Sequence, residues 1–330
     1  MTARKVRQTK KYSAVFECNL KCHRASDSKD FAMRDDNFRP SSNIEDRRGS
    51  GGHSSGGGFG GGGIPIRTGG GLGFIIVVIL IILFGGGEQI LGPSPQSSQQ
   101  EGFQSADINN EESADRETLG ANRVARVLGS TEDYWGSYFQ QHGENYAQPT
   151  LVLFRSRTSS PCGSASGATG PFYCPGDNKI YLDLGFFDEM DRALGARGDF
   201  AQAYVIAHEV GHHVQNEVGI LPQAHRAMER GGDRGANSVA VRLELQADCL
   251  AGMWAKGAVA DIGALEQGDL EEAIGAAQAV GDDKLQKNSQ GYAVPDSFTH
   301  GTSEQRARWF RVGMQTGDFA RCDTFKARDL

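Results

Sequence analysis

Apolar positions are spread unevenly along this chain. Residues 1–68 carry no sustained hydrophobic period. The first strong signal is an unbroken apolar run, Phe74–Phe84, inside Gly69–Gly87, a stretch of 19 residues without a charge. Its dense part is short for a hydrocarbon layer of about 30 Å, but the flanking glycines extend it to spanning length. We expect a single transmembrane helix over 69–87, in contact with a lipid bilayer. Gly-rich polar sequence before it, and the Pro93–Gln100 tract after it, argue against a buried core helix. The run starts too late for an ordinary signal peptide, and no clean small-residue cleavage site follows it.

Beyond the run, short apolar blocks alternate with longer periodic ones. Thr150–Phe154 and Ile180–Phe187 read as strand material. Phe172–Cys174 and Lys179–Leu184 flank Pro175–Asn178, which is a hairpin signal. Helices are expected over 117–128, 131–142, 199–218, 236–258, 269–280 and 303–315. Ser130 and Thr131, with Asp133 in the first turn, would open the second. The pattern predicts an α+β domain, mostly helical with a small sheet. The expected order is a disordered Gly-rich segment (1–68), the span (69–87), a flexible tether (88–116) and a folded domain (117–330). Residues 1–32 are basic and weakly patterned, and Met33 is an alternative start of translation.

Composition sharpens this order. Of 45 glycines, 17 fall between Gly49 and Gly87, so that segment builds no packed core. Residues 1–67 hold 13 Lys/Arg and 7 Asp/Glu, whereas residues 88–330 hold 21 and 34. An acidic main domain excludes nucleic acid as a partner, because phosphate neutralisation needs basic surface. Arg39, Arg47, Arg48 and Arg67 precede the span, and the first basic residue after it is Arg116. The basic side stays inside. The expected placement is therefore the inner (cytoplasmic) membrane, N-terminus cytoplasmic and main domain periplasmic or otherwise extracytoplasmic. Cys162, Cys174, Cys249 and Cys322 lie in that outer part, an even number suited to an oxidising compartment. We expect Cys162 to pair with Cys174 across a Gly/Ser/Ala loop, and Cys249 with Cys322. Cys18, Cys22 and His23 lack a second pair at zinc-ribbon spacing.

The chemistry concentrates in His208-Glu209-Val210-Gly211-His212. On a helix, residues i and i+4 share a face, so both imidazoles can reach one zinc ion. Glu209 is turned so that it can reach a water activated by the metal, the arrangement of a metallopeptidase. Two histidines leave such a site one protein ligand short. Gln215 and Val218 stand where a metzincin needs Gly and His. Glu244 and Asp248, again at i and i+4, supply the best remaining donors. We assign Glu244 as third ligand and Asp248 as acceptor of a ligand His ring N–H. His213 is rotated off the face and His225 is an inferior candidate.

His208–Asn216, Glu244–Gly252 and Phe298–Arg306 with Trp309 and Phe310 together resemble the neutral zinc metallopeptidase family of bacterial membrane-anchored proteins. Asn43–Arg48, the Gly-rich run and the anchor resemble its N-terminal part. The resemblance runs from about Met33 to the end. It implies a zincin-like domain, one zinc ion per chain and hydrolysis of protein or peptide substrates. The family's likeness to gluzincins supports Glu244 as ligand. Thr299-His300-Gly301-Thr302 resembles a C-terminal His motif of related membrane gluzincins, which makes His300 a candidate oxyanion donor; the alternative is a structural His capping the following helix. The strand Lys179–Leu184 stands where related peptidases have an edge strand that pairs with substrate, and Gly163–Gly170 could rim the cleft. The competing expectation is a zinc-binding scaffold or chaperone-like envelope protein with little turnover.

Overall fold

The computed structural model describes residues 33–50, 106–166, 169–230, 234–260, 263–266 and 268–330. All of these belong to one unit. The expected span at 69–87, and Cys18 and Cys22, lie outside the described residues. Among the described residues no helix is long and apolar enough to cross a membrane.

A four-stranded sheet has the order β1-β2-β6-β5. Its strands are β1 (Ile44–Asp46), β2 (Thr150–Phe154), β5 (Phe172–Cys174) and β6 (Lys179–Asp183). β1, β2 and β6 run parallel, and β5 closes an antiparallel hairpin on β6. The near-continuous apolar run of β2 follows from burial on both faces. Leu151 and Leu153 join the main helical core, while Val152 and Phe154 join a smaller cluster with Phe172, Tyr181 and Ala165. That cluster is roofed by the hairpin β3 (Arg157–Ser160) and β4 (Gly163–Ser166). Gly163–Ser166 is thus a paired strand, while Gly170, at the end of the loop expected to rim the cleft, does line the cavity described below. Disulfides join Cys162 to Cys174 and Cys249 to Cys322, as expected from their positions.

The helices are α1 (Ala106–Gln141), α2 (Gly185–Leu194), α3 (Asp199–Glu217), α4 (Ile220–Glu229), α5 (Val239–Trp254, continued as a π-helical turn to Ala260), α6 (Asp269–Ala279), α7 (Asp282–Gln290) and α8 (Ser303–Thr316). α3 and α5 cross at the centre of the unit and are buried on nearly every side. α4 and α7 escaped the sequence reading because each is a short segment of about ten residues with a mostly polar exposed face. The start of α2 was expected as strand within Ile180–Phe187, because Phe186 and Phe187 continue the apolar run of β6, which ends at Asp183.

Three expectations are corrected here. First, α1 is one helix where two were expected, and it begins at Ala106 within the expected tether. Ser130 and Thr131 do not open a helix. Their hydroxyls bond back to the Val127 and Leu128 carbonyls, which keeps them inside the turn pattern. Gly129 permits a close approach: a Cβ there would lie 2.1 Å from the Arg39 carbonyl oxygen.

Second, residues 33–50 are folded into the domain. Met33 and Phe38 are buried, Ser41 and Asn43 bond Glu132, and β1 extends the sheet through Ile44↔Leu151. Only three residues of strand, carrying two acids, gave no readable period. The pairing of β1 with β2 makes 33–50 part of the same folded unit as 106–330. Third, the strand Lys179–Leu184 is not an edge. β6 pairs with β2 on one side and β5 on the other, so the outer strand of that hairpin is β5.

Candidate metal centre

The geometry of the candidate centre starts from the contact between α3 and α5. Gly211, inside the H-E-x-x-H segment, faces Ala247, and a Cβ there would stand 3.0 Å from the Ala247 carbonyl oxygen. This close approach carries Glu244 of α5 to the histidine face of α3. Ligand atoms of His208, His212 and Glu244 lie within 4.8 Å of one another, all buried. His208 Nε2 is 3.2 Å from Glu244 Oε2, and His212 Nε2 is 3.5 Å from Glu244 Oε1. The chemistry of this set, two imidazoles and a carboxylate, fits zinc with a coordination position left for a reactant.

Each histidine is held from behind. His208 Nδ1–H donates to Asp248 Oδ1 at 2.9 Å, which turns Nε2 toward Glu244. Asp248 is fully buried and also accepts from the Tyr204 hydroxyl at 2.5 Å and from Arg306 Nε and NH2, each at 2.9 Å. Burial opposes its charge, but Arg306 and His208 hold its carboxyl below the usual range. His212 Nδ1–H donates to Gln215 Oε1 at 2.9 Å, and Gln215 is fixed in turn by the Leu243 carbonyl. Burial opposes charge on Glu244 as well, yet His212 and His208 hold it well below the ordinary carboxylate range. Burial opposes charge on His208, and Asp248 with Glu244 outweighs it, lifting this imidazole to about 9.

Glu209 lies beside the trio. Its Oε2 is buried with no hydrogen-bond partner among the described residues. Burial pushes its carboxyl up, opposed by His208, His212 and the nearby Tyr173 backbone N–H of β5. A cavity of about 90 Å³ opens on this group; His208, Glu209, Glu244 and His300 line it, with an apolar wall that includes Phe186, Leu194, Val205 and Leu285.

His300 enters the cavity from the loop before α8. The backbone N–H groups of Thr299, His300 and Gly301 all donate to Asp282 Oδ2, and His300 Nδ1 stands 3.3 Å from Asp282 Oδ1. Burial lowers the basicity of this ring, but Asp282 and Glu244 outweigh it and raise the imidazole above its usual value. His300 does not cap α8: Thr302 does, in a capping box with Gln305. His213 points elsewhere, its ring between Tyr173 and the Ala147 carbonyl. His225 is not part of the trio.

Sequence reasoning missed Gln215, Tyr204, Arg306 and Asp282. Gln215 had a readable signal, because i+3 from His212 puts it on the same face. Arg306 and Asp282 are distant in sequence and reach the site only through folding.

A family model described as "putative neutral zinc metallopeptidase" matches residues 33–325. The chain belongs to this family. Among curated relatives, the uncharacterized protein YpfJ of Escherichia coli K12 is 50% identical over 228 residues, covering 69% of this chain and 77% of the relative. The uncharacterized proteins Mb2605 of Mycobacterium bovis and Rv2575 of Mycobacterium tuberculosis H37Rv are each 42% identical over 218 residues, covering 63% of this chain and 71% of theirs. No solved structure matches the chain.

Proposed function

We propose that this member of the family is a zinc-dependent endopeptidase. One observation carries the reading: the unpartnered, buried oxygen of Glu209 faces a cavity beside a two-histidine, one-carboxylate trio. His208, His212 and Glu244 would hold the metal. When bound there, zinc supplies Lewis-acid polarisation of the substrate carbonyl and acidifies water.

The remaining work belongs to the chain's own residues. Glu209 Oε2 takes a proton from water as it adds to the peptide carbonyl, and passes it to the departing amine. Asp282 engages His300 through Nδ1, leaving Nε2 to donate a hydrogen bond to the oxygen on which charge develops. Asp248 and Gln215 keep each ligand imidazole in the tautomer that presents Nε2. The outer edge of β5, close to Glu209, offers backbone groups to an extended peptide. The apolar wall favours a large aliphatic or aromatic side chain next to the scissile bond.

An extracytoplasmic domain is part of this proposal. The two disulfides support it. Residues 69–87 supply the apolar length for contact with a bilayer.

The test is hydrolysis of an unfolded protein by the purified full chain, with metal content measured in parallel. The proposal expects one zinc per chain, loss of cleavage with a chelator and recovery with added zinc. Bound zinc without any cleavage would favour the scaffold reading.

A further inference from the structure

A second cluster lies at the other end of the zinc helix. Asp199 is the first residue of α3, and Asp269 and Glu272 lie in the first turn of α6. One carboxylate oxygen from each lies within 4.8 Å of the other two. Asp269 Oδ2 accepts from the Glu266 backbone N–H, and Glu272 Oε2 from that of Phe200. Each therefore spends one oxygen on the fold.

Asp199 is different. Its side chain is 6% exposed, neither of its oxygens has a hydrogen-bond partner of good geometry among the described residues, and only the backbone N–H groups of Met33, Phe200 and Asp199 itself approach it. The nearest cation, the Arg123 guanidinium, stands 4.0 Å away and is shared with Asp35, which Arg126 also faces. Burial, the largest cause, pushes all three carboxyls up, and for Asp269 and Glu272 the neighbouring acids add to it. Ionised, Asp199, Asp269 and Glu272 outnumber the cations beside them, Arg123 and Arg126, which Asp35 also engages, and Glu271 adds to the excess of negative charge. A divalent cation offsets that excess. Oxygen-only donors of this kind suit a hard ion.

We propose that Asp199, Asp269 and Glu272 form a calcium site that fastens the start of α3 to α6. The site is separate from the zinc trio, whose two histidines lie about two and a half and three and a half turns further along α3. Gly198 belongs to its architecture: a Cβ there would overlap the Glu272 carboxylate at 1.9 Å, so only glycine lets that group sit against the head of the zinc helix. Calcium bound here would stiffen the helix that presents His208 and His212.

The test uses the zinc-loaded full chain in calcium-free buffer. Titrated calcium is expected to raise the melting temperature by about 5 °C at saturating concentration. Terbium should bind the same site and luminesce by transfer from Trp254, whose ring stacks on Phe200 at 6.0 Å, and calcium should displace it. Asp199→Asn removes one ligand charge while keeping one acceptor oxygen, and should weaken calcium binding at least tenfold with zinc content unchanged. The wild-type titration stands even if that variant folds poorly. No thermal shift together with no terbium signal would overturn the site. An equal shift from magnesium at the same concentration would overturn its assignment to calcium.

Discussion

Asp248 shows how much one side chain can hold. It receives His208, Tyr204 and one edge of the Arg306 guanidinium through two N–H groups, all out of contact with solvent. Asp248→Asn keeps the shape but strands the Arg306 charge. Loss of one partner from such a buried pair costs about 3–5 kcal/mol. Loosening the histidine lowers metal affinity by about 10–100-fold. A thermal melt beside a zinc titration checks both numbers. His300 makes a different prediction. Its replacement by Phe should lower kcat by about 10²–10³-fold with little change in KM, because a hydrogen bond to developing charge forms only in the transition state. Steady-state kinetics on a fluorogenic peptide decides it; a change confined to KM would remove His300 from that role.

At the scale of elements, the contact of α3 with α5 matters most. Gly211→Ala should push the two helices apart at the Ala247 carbonyl and cost about 1–3 kcal/mol, with weaker zinc retention. Calorimetry and metal content report this directly. The same elements show what the sequence made legible. Five-residue H-E-x-x-H spacing and the Glu244/Asp248 pair state their own helical face, so the trio was readable. The Pro175–Asn178 turn and the long buried helices were readable too. The break at Gly129–Thr131 was misread, since a glycine needed for close approach of residues 39–41 looks the same as one that ends a helix. β6 was misplaced because a hairpin signal reveals one neighbour of a strand and says nothing of the other. Asp282 and Arg306 act through contacts that no local pattern contains.

The whole molecule depends on the segment before the Gly-rich run. Glu45 on β1 pairs with Arg47 and Lys179, whose hydrogen bonds depress its carboxyl to about 2. A depressed carboxylate stabilises the folded state above its unfolded value near 4.5, and that contribution is lost as pH falls toward 2. Because Glu45 is 39% exposed, the gain is screened to under about 1 kcal/mol. Wild type should thus exceed Glu45→Gln slightly in stability at pH 6, and the two should converge near pH 2, as read by denaturant melts. Topology gives a sharper test. Single cysteines introduced at the exposed positions Asp36 and Glu304 should react with an impermeant thiol reagent from the same side of intact cells. Labelling from opposite sides would break the pairing of β1 with β2.

Glu209 bears the central claim, that this site hydrolyses peptide bonds. The decisive comparison is wild type against Glu209→Gln in the full chain, with bound zinc and cleavage of an unfolded protein measured on the same samples. The account predicts equal zinc in both and at least a 10²-fold loss of turnover in the variant. Equal turnover in the two proteins would contradict it.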